Sequence, residues 1–221
     1  MFPFYLFYRL CYNSIVKKTL IEEIQDKYEP LKLFFPADIT AKGMTDEAVK
    51  TELHRLAEKG AIERYAYGLY YLPGKRGEEP SAIDAITIRY LQDGDDVYGF
   101  YTGDNFIKTI LGNPVTIDDH LEIMTNRATS GKKNVFMFGK RFILRKPYVP
   151  IKRDNVALNA FLSYIAMTEL KTIKANYSLL SNFIKKEHLS ALEVMKSTDY
   201  YPSKTMSKLL ASDLYRSLWR H

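Results

Sequence analysis

Residues that could carry chemistry are sparse in this 221-residue chain. Asp118-Asp119-His120 with Glu122 is the densest grouping, since three carboxylates and an imidazole this close together could hold a divalent metal or act as a general base. Adjacent acids ahead of an apolar run are more often a loop or a cap, and that is the expectation here. The four histidines, His54, His120, His188 and His221, have neither one another nor a cysteine at ligand spacing, so no metal site is expected. Ser130-Gly131-Lys132-Lys133 fails as a phosphate loop: the place of the first glycine holds Asn126, and the residue after Lys132 is not Ser or Thr. No Gly-x-Ser-x-Gly elbow and no dinucleotide fingerprint occurs. The chain reads as a non-enzyme that needs no cofactor.

Binding chemistry is better represented. In Thr45 to Gly60, Ala48, Val49, Leu53, Leu56 and Ala57 recur at helical spacing and leave Glu47, Lys50, Thr51, His54 and Arg55 on the outer side. Thr45 followed by two acids is a start signal, and Gly60 is the stop. Ile62 to Leu72 then reads as two strand segments broken at Tyr67-Gly68. A helix feeding a hairpin is how a winged helix-turn-helix presents a reading helix and a wing to duplex DNA. Lys50, Thr51, His54 and Arg55 are the candidate base readers, and Arg64, Tyr67, Lys75 and Arg76 the candidate backbone contacts. The alternatives are a helix and hairpin that merely pack together, with an ordinary mixed-charge surface.

The elements before that helix fit the first reading. Ser14 to Glu29 has an apolar stripe of Ile15, Leu20, Ile21, Ile24 and Tyr28, and Pro30 closes it. Leu31 to Phe35 reads as a strand that pairs with the hairpin, and Pro36-Ala-Asp-Ile opens a short second helix ended by Gly43. The resulting order of helix, strand, helix, helix and hairpin is that of a winged helix.

The run FFPADITAKGMTDEAVKTELHRLAEKGAIERYAYGLYYLPG resembles the N-terminal winged helix of AbiEi-type antitoxins. The matching places are Phe34-Phe35, Asp38, Leu53 and Leu56, Gly60 and Ile62, Arg64, and Gly68 and Tyr70. Downstream, GFYTGDNFIKTILGNP, EIMTNRATSG and GKRFILRKP are similar to that family's next module, so the likeness covers about residues 16 to 151. The resemblance implies a transcriptional autorepressor that binds its own double-stranded operator. It also implies neutralisation of a cognate nucleotidyltransferase toxin, with no stable complex required, in operons that can abort phage infection.

After the hairpin, GKRGEEP reads as a hinge with a boundary near Glu78. A helix from Ser81, a turn at Asp93 to Asp96, a strand at Tyr98 to Tyr101 and a helix from Asp104 to Leu111 follow. Strands at Leu121 to Thr125, Val135 to Phe138 and Phe142 to Leu144 complete a small α+β module. From Asp154 the spacing is helical, and three further helical stretches reach Trp219, expected as a packing anchor. The fold class is therefore α+β: an extension over 1–15, a winged helix-turn-helix over 16–77, and an α+β module with a helical C-terminal part over 78–221.

Charge is uneven along the chain. Residues 1–15 carry +1 and 16–76 carry +1, whereas 77–122 carry −8 and 123–221 carry +12. A nearly neutral first domain is a weak clamp on phosphate by itself, unless its cations cluster while its carboxylates point elsewhere. Lys140, Arg141, Arg145, Lys146, Lys152 and Arg153 form a denser second candidate surface for nucleic acid or another acidic partner. Lys171, Lys174, Lys185, Lys186, Lys204 and Lys208 extend it, or are simply a solvated face.

With 46% hydrophobic residues the chain can bury two small cores. The single Cys11 excludes a disulfide framework and fits a reducing, cytoplasmic location. MFPFYLFYRLCY carries Pro3 and Arg9 and is shorter than the about 20 residues of a membrane span. It is expected to be a docking arm or an over-extended translation start, with no membrane partner. The runner-up function is a non-catalytic module that uses its winged helix for protein contacts.

Overall fold

The computed structural model describes residues 18–66, 68–75 and 77–219. The expectations for residues 1–17, Tyr67 and Arg76 lie outside these. The protein is mixed α+β and divides into two compact units, one ending at Pro80 and the next beginning at Ser81.

In the first unit, α1 (Leu20–Lys27) starts at a reciprocal cap, in which the Thr19 hydroxyl accepts from Glu22 N and the Glu22 carboxylate accepts from Thr19 N at 2.8 Å. Strand β1 (Leu33–Phe34) and a 3₁₀ turn (Pro36–Asp38) follow, then α2 (Asp46–Glu58), β2 (Glu63–Ala66) and β3 (Leu69–Tyr71). The expected second helix is only that turn. The Asp38 carboxylate accepts Phe35 N at 2.7 Å and closes it. Ile39 then continues in extended backbone, buried with Ala41, because two β-branched residues, Ile39-Thr40, gain nothing from a helix that would expose the isoleucine.

The three strands form one antiparallel sheet in the order β1-β3-β2, with Leu33 opposite Tyr71 and Arg64 opposite Tyr70. The β2–β3 register shifts between Arg64 and Ala66, and Gly68 turns the chain at φ +65. Val49, Leu53 and Leu56 from α2 meet Leu20, Ile24, Phe34, Ile62 and Tyr70 in one core. Each such aliphatic side chain contributes about 1.5–3 kcal/mol by leaving water. This burial fixes which side of α2 remains outside.

The second unit opens with α3 (Ala82–Ile86), started by the Ser81 hydroxyl accepting Asp84 N, and a π-helical turn (Thr87–Leu91). Strands β4 (Gln92–Asp93) and β5 (Asp96–Val97) make a tight hairpin, before β6 (Gly99–Tyr101) and α4 (Gly103–Ile110). Strands β7 (Glu122–Thr125), β8 (Lys132–Met137) and β9 (Lys140–Arg145) join β6 in a sheet of order β6-β7-β9-β8, parallel only between β7 and β9. Strands β8 and β9 are each longer than the apolar spacing predicts. Polar Lys132, Lys133, Lys140 and Arg141 extend them through backbone pairing, which leaves no mark in hydropathy.

Side chains alternate across this sheet. Ile123, Phe142 and Leu144 join Ile86, Tyr90 and Leu91 in one core, whereas Phe100 and Met124 point into another with Phe106 and the C-terminal helices. Six helices carry the chain from α5 to the end: α5 (Val156–Met167), α6 (Leu170–Ala175), α7 (Tyr177–Lys186), α8 (Ala191–Thr198), α9 (Lys204–Ala211) and α10 (Leu214–Leu218). The sequence predicts four stretches. Three of the breaks carry neither glycine nor proline: His188 and Asp213 take positive φ, and Asn176 closes α6. Trp219 is 62% exposed and meets Tyr215 edge-on, because Leu214 and Leu218 take the inward positions of α10. It is not a packing anchor.

Helix α5 is the centre of this unit, with Phe161, Leu162 and Ile165 fully buried. Lys208 donates its ammonium to the carbonyls of Ile165, Ala166 and Thr168 at 3.2, 2.9 and 2.8 Å, satisfying acceptors that a helix end otherwise leaves open. The Tyr201 hydroxyl donates to Asn159 Oδ1 at 2.9 Å, and burial pushes its pKa up to about 12.

Gly99 shows how tightly this unit is built, since a Cβ there would sit 1.9 Å from the Tyr90 carbonyl oxygen. Gly99→Ala is expected to destabilise the unit by at least about 2 kcal/mol, as backbone has no rotamer to yield. Gly131→Ala, where a Cβ meets nothing within 4 Å, should change stability by less than about 0.5 kcal/mol. Urea melts of the two variants check the contrast.

Candidate nucleic-acid interface

Thr45 begins α2 by accepting Ala48 N at 3.2 Å, and Gly60 leaves it at φ +71. Between these limits Lys50, Thr51, His54 and Arg55 are exposed and, with Glu58, line one shallow surface depression. The helix therefore brings the four candidate readers together.

Their carboxylates do not point elsewhere. Lys50 pairs with Glu47 at 2.7 Å, Arg55 with Glu52 at 2.8 Å, and His54 Nδ1 lies 3.4 Å from Glu58. The Glu52 carboxylate hydrogen-bonds the Arg55 guanidinium and holds its pKa above the usual arginine range. The Thr51 hydroxyl donates to the Glu47 carbonyl at 2.9 Å. Lys50, Arg55 and the His54 imidazole thus each have an acid within one turn, which the spacing of i and i+3 or i+4 permits on any helix face. Exposed pairs of this kind are worth about 0.2–1 kcal/mol, so a polyanion can displace the acids. Arg64 is exposed on β2, an edge strand, and Lys75 is exposed beyond β3.

The second candidate surface is not one surface. Residues 123–153 hold nine cations and no acid, and acids from residues 95–122 reach several of them. Arg145 is bound by Glu122 across the parallel strands, with side chains only 27% and 18% exposed. Lys140 pairs with Asp118 at 2.7 Å and Arg153 with Asp95 at 2.7 Å. Strand alternation also sends Lys140 and Arg141 to opposite faces. Arg141, Lys146 and Lys152 are exposed and have no ion pair among the described residues. Lys208, the cap of α5, is likewise no part of a basic footprint.

The three carboxylates of the Asp118-Asp119-His120-Glu122 grouping are held in ion pairs, Asp118 with Lys140, Asp119 with Lys108 and Glu122 with Arg145. Asp119 is bound by Lys108 and accepts Thr116 N at 2.8 Å, and these bonds, the Lys108 one foremost, hold its carboxyl below the usual range. Among the described residues no group of three or more His, Cys, Asp or Glu could hold a metal ion. No helix of the described residues is long and apolar enough to cross a membrane.

The run Thr125-Asn126-Arg127 also has a structural role that spacing alone does not reveal. The Asn126 side chain donates to Ile151 O and accepts from Ile151 N, at 2.7 and 2.8 Å. Arg127 lies 3.8 Å over the Tyr98 ring and donates to the carbonyls of Ile88 and Arg89, capping the π-helical turn.

No protein-family model, curated protein or solved structure matches the chain.

The two arginines of β9 make a direct comparison. Arg145→Ala strands the half-buried Glu122 and is expected to cost about 1–3 kcal/mol of stability, and Arg141→Ala less than about 0.5 kcal/mol. Thermal unfolding followed by circular dichroism reads both.

Proposed function

We propose that the protein is a winged-helix, DNA-binding autorepressor and antitoxin of the AbiEi type, with α2 as its reading helix and β2–β3 as its wing. It acts without catalysis and neutralises a nucleotidyltransferase toxin without needing a stable complex. The carrying observation is the α2 face, where Lys50, Thr51, His54 and Arg55 sit together on the exposed side of a helix followed at once by a hairpin. Support also comes from the order helix, strand, turn, helix, hairpin around a three-stranded antiparallel sheet. A second reading, a winged helix used for protein contacts, is favoured by the acids interleaved on that same face, Glu47, Glu52 and Glu58.

Salt separates the two. Binding of the full chain to duplex from upstream of its own gene should weaken steeply with salt, by a slope of about −0.9 per phosphate contact in log affinity against log salt. Lys50→Ala with Arg55→Ala should lower that affinity by about 1–3 kcal/mol for each side chain that reads a base edge. The same double variant, co-expressed with the product of the adjacent gene, should still rescue growth. Unchanged affinity in gel shifts would remove α2 as the reader, and loss of rescue by the folded variant would tie antitoxicity to the DNA-binding face.

A further inference from the structure

Strand β9 has its buried side chains on one face, while on the other Arg141 is exposed and Ile143 and Arg145 are partly buried. Phe142 and Leu144 go into the core below, whereas Arg141, Ile143 and Arg145 lie on the other face, which the C-terminal helices cover over β6 and β7 but not over β8. On β8 the same open face carries Lys132, Asn134 and Phe136, opposite Arg145, Ile143 and Arg141 in register. Phe136 is 74% exposed, the most exposed large apolar side chain among the described residues. A phenyl ring standing on a sheet with a guanidinium directly across from it is an arrangement that packing does not require.

We infer that the open face of the β8–β9 hairpin binds single-stranded nucleic acid, with a base stacked on Phe136 and the adjoining phosphates held by Arg141 and Lys132. Three observations support this occupant over others. On this face Glu122 offsets Arg145, but Lys132 and Arg141 are exposed with no ion pair among the described residues, so the face keeps a positive charge that suits phosphate. The patch has one large apolar side chain, too little apolar surface for a stable protein interface but enough to stack one base. Duplex bases offer only their edges in a groove, whereas unpaired bases offer the ring face that Phe136 can cover. Addition of a second copy along the free edge of β8 is opposed by Lys132 and Lys133, like charges that blunt an edge strand. The Arg145–Glu122 pair closes the face on the β7 side.

This site lies wholly in the second unit and does not rest on the reading of α2. Fluorescence anisotropy of the full chain with labelled oligothymidylate and oligouridylate of about a dozen nucleotides, at low and moderate salt, tests it. Both oligomers, or one, should bind, and more weakly as salt rises. Phe136→Ala should lose about 5- to 150-fold in affinity, the range for one stacked base, and Phe136→Trp should retain binding. Arg141→Ala should make the salt slope shallower by about 0.7. Lys50→Ala with Arg55→Ala should leave single-strand binding unchanged, so failure of the duplex reading and failure here are distinguishable. No binding at low salt, or equal binding by Phe136→Ala with an unchanged circular dichroism spectrum, would overturn the inference.

Discussion

The second unit depends on a meeting between two stretches of opposite charge. Its first 42 residues, 81–122, hold eight acids and two cations, and the next 31, 123–153, hold nine cations and no acid. Neither stretch could collapse alone without bringing like charges together. Folding places Glu122 against Arg145 between the central strands β7 and β9, Asp118 against Lys140 at the start of β9, and Asp95 in the β4–β5 turn against Arg153. The central pair is the least exposed, and it sits where parallel strands β7 and β9 must stay in register for Ile123 and Leu144 to share a core. A partly buried carboxylate left without its guanidinium would be costly, so the pair also penalises a register slip. Coulombic attraction in the two more exposed pairs adds little, being screened by solvent and salt.

The same interaction determines which cations remain for a partner. Counting charge along the chain suggests a broad basic C-terminal footprint, but much of that charge is spent internally. Arg145 holds a strand, Arg127 covers Tyr98, and Lys208 closes α5. Beside scattered exposed lysines such as Lys146, Lys152, Lys171, Lys174, Lys185 and Lys204, two local groupings remain outside: the α2 face, where Lys50 and Arg55 each have an acid one turn away, and the open face of the β8–β9 hairpin. A surface this discontinuous suits recognition at particular places better than general adhesion to polyanions.

Some of this was legible in the residues. Thr45 and Gly60 mark the ends of α2, and the burial of Val49, Leu53 and Leu56 follows their spacing, so the grouping of Lys50, Thr51, His54 and Arg55 follows as well. The fate of their acids was not, because Glu47, Glu52 and Glu58 reach the cations by rotamer choice. The 3₁₀ turn at Pro36–Asp38 was masked by a proline and an aspartate that also begin true helices. The lengths of β8 and β9 were hidden by lysines whose strand pairing runs through the backbone, and the breaks at His188 and Asp213 by positive φ taken without glycine. Phe136 illustrates the limit most clearly. In sequence it is one more apolar residue of a strand, and only the alternation of β8 and the incomplete cover of β9 put it outside.

The division of cations into structural, paired and available ones can be read from individual amines. Quantitative acylation of lysines in the native full chain, followed by mass spectrometry with and without duplex from upstream of its gene, measures each one. Lys132 and Lys133 should be modified fast, Lys208 slowly in both conditions, and Lys50 should be protected when duplex is added. Modification of Lys208 as fast as Lys132, or no change at Lys50 under conditions where the duplex is bound, would contradict this division.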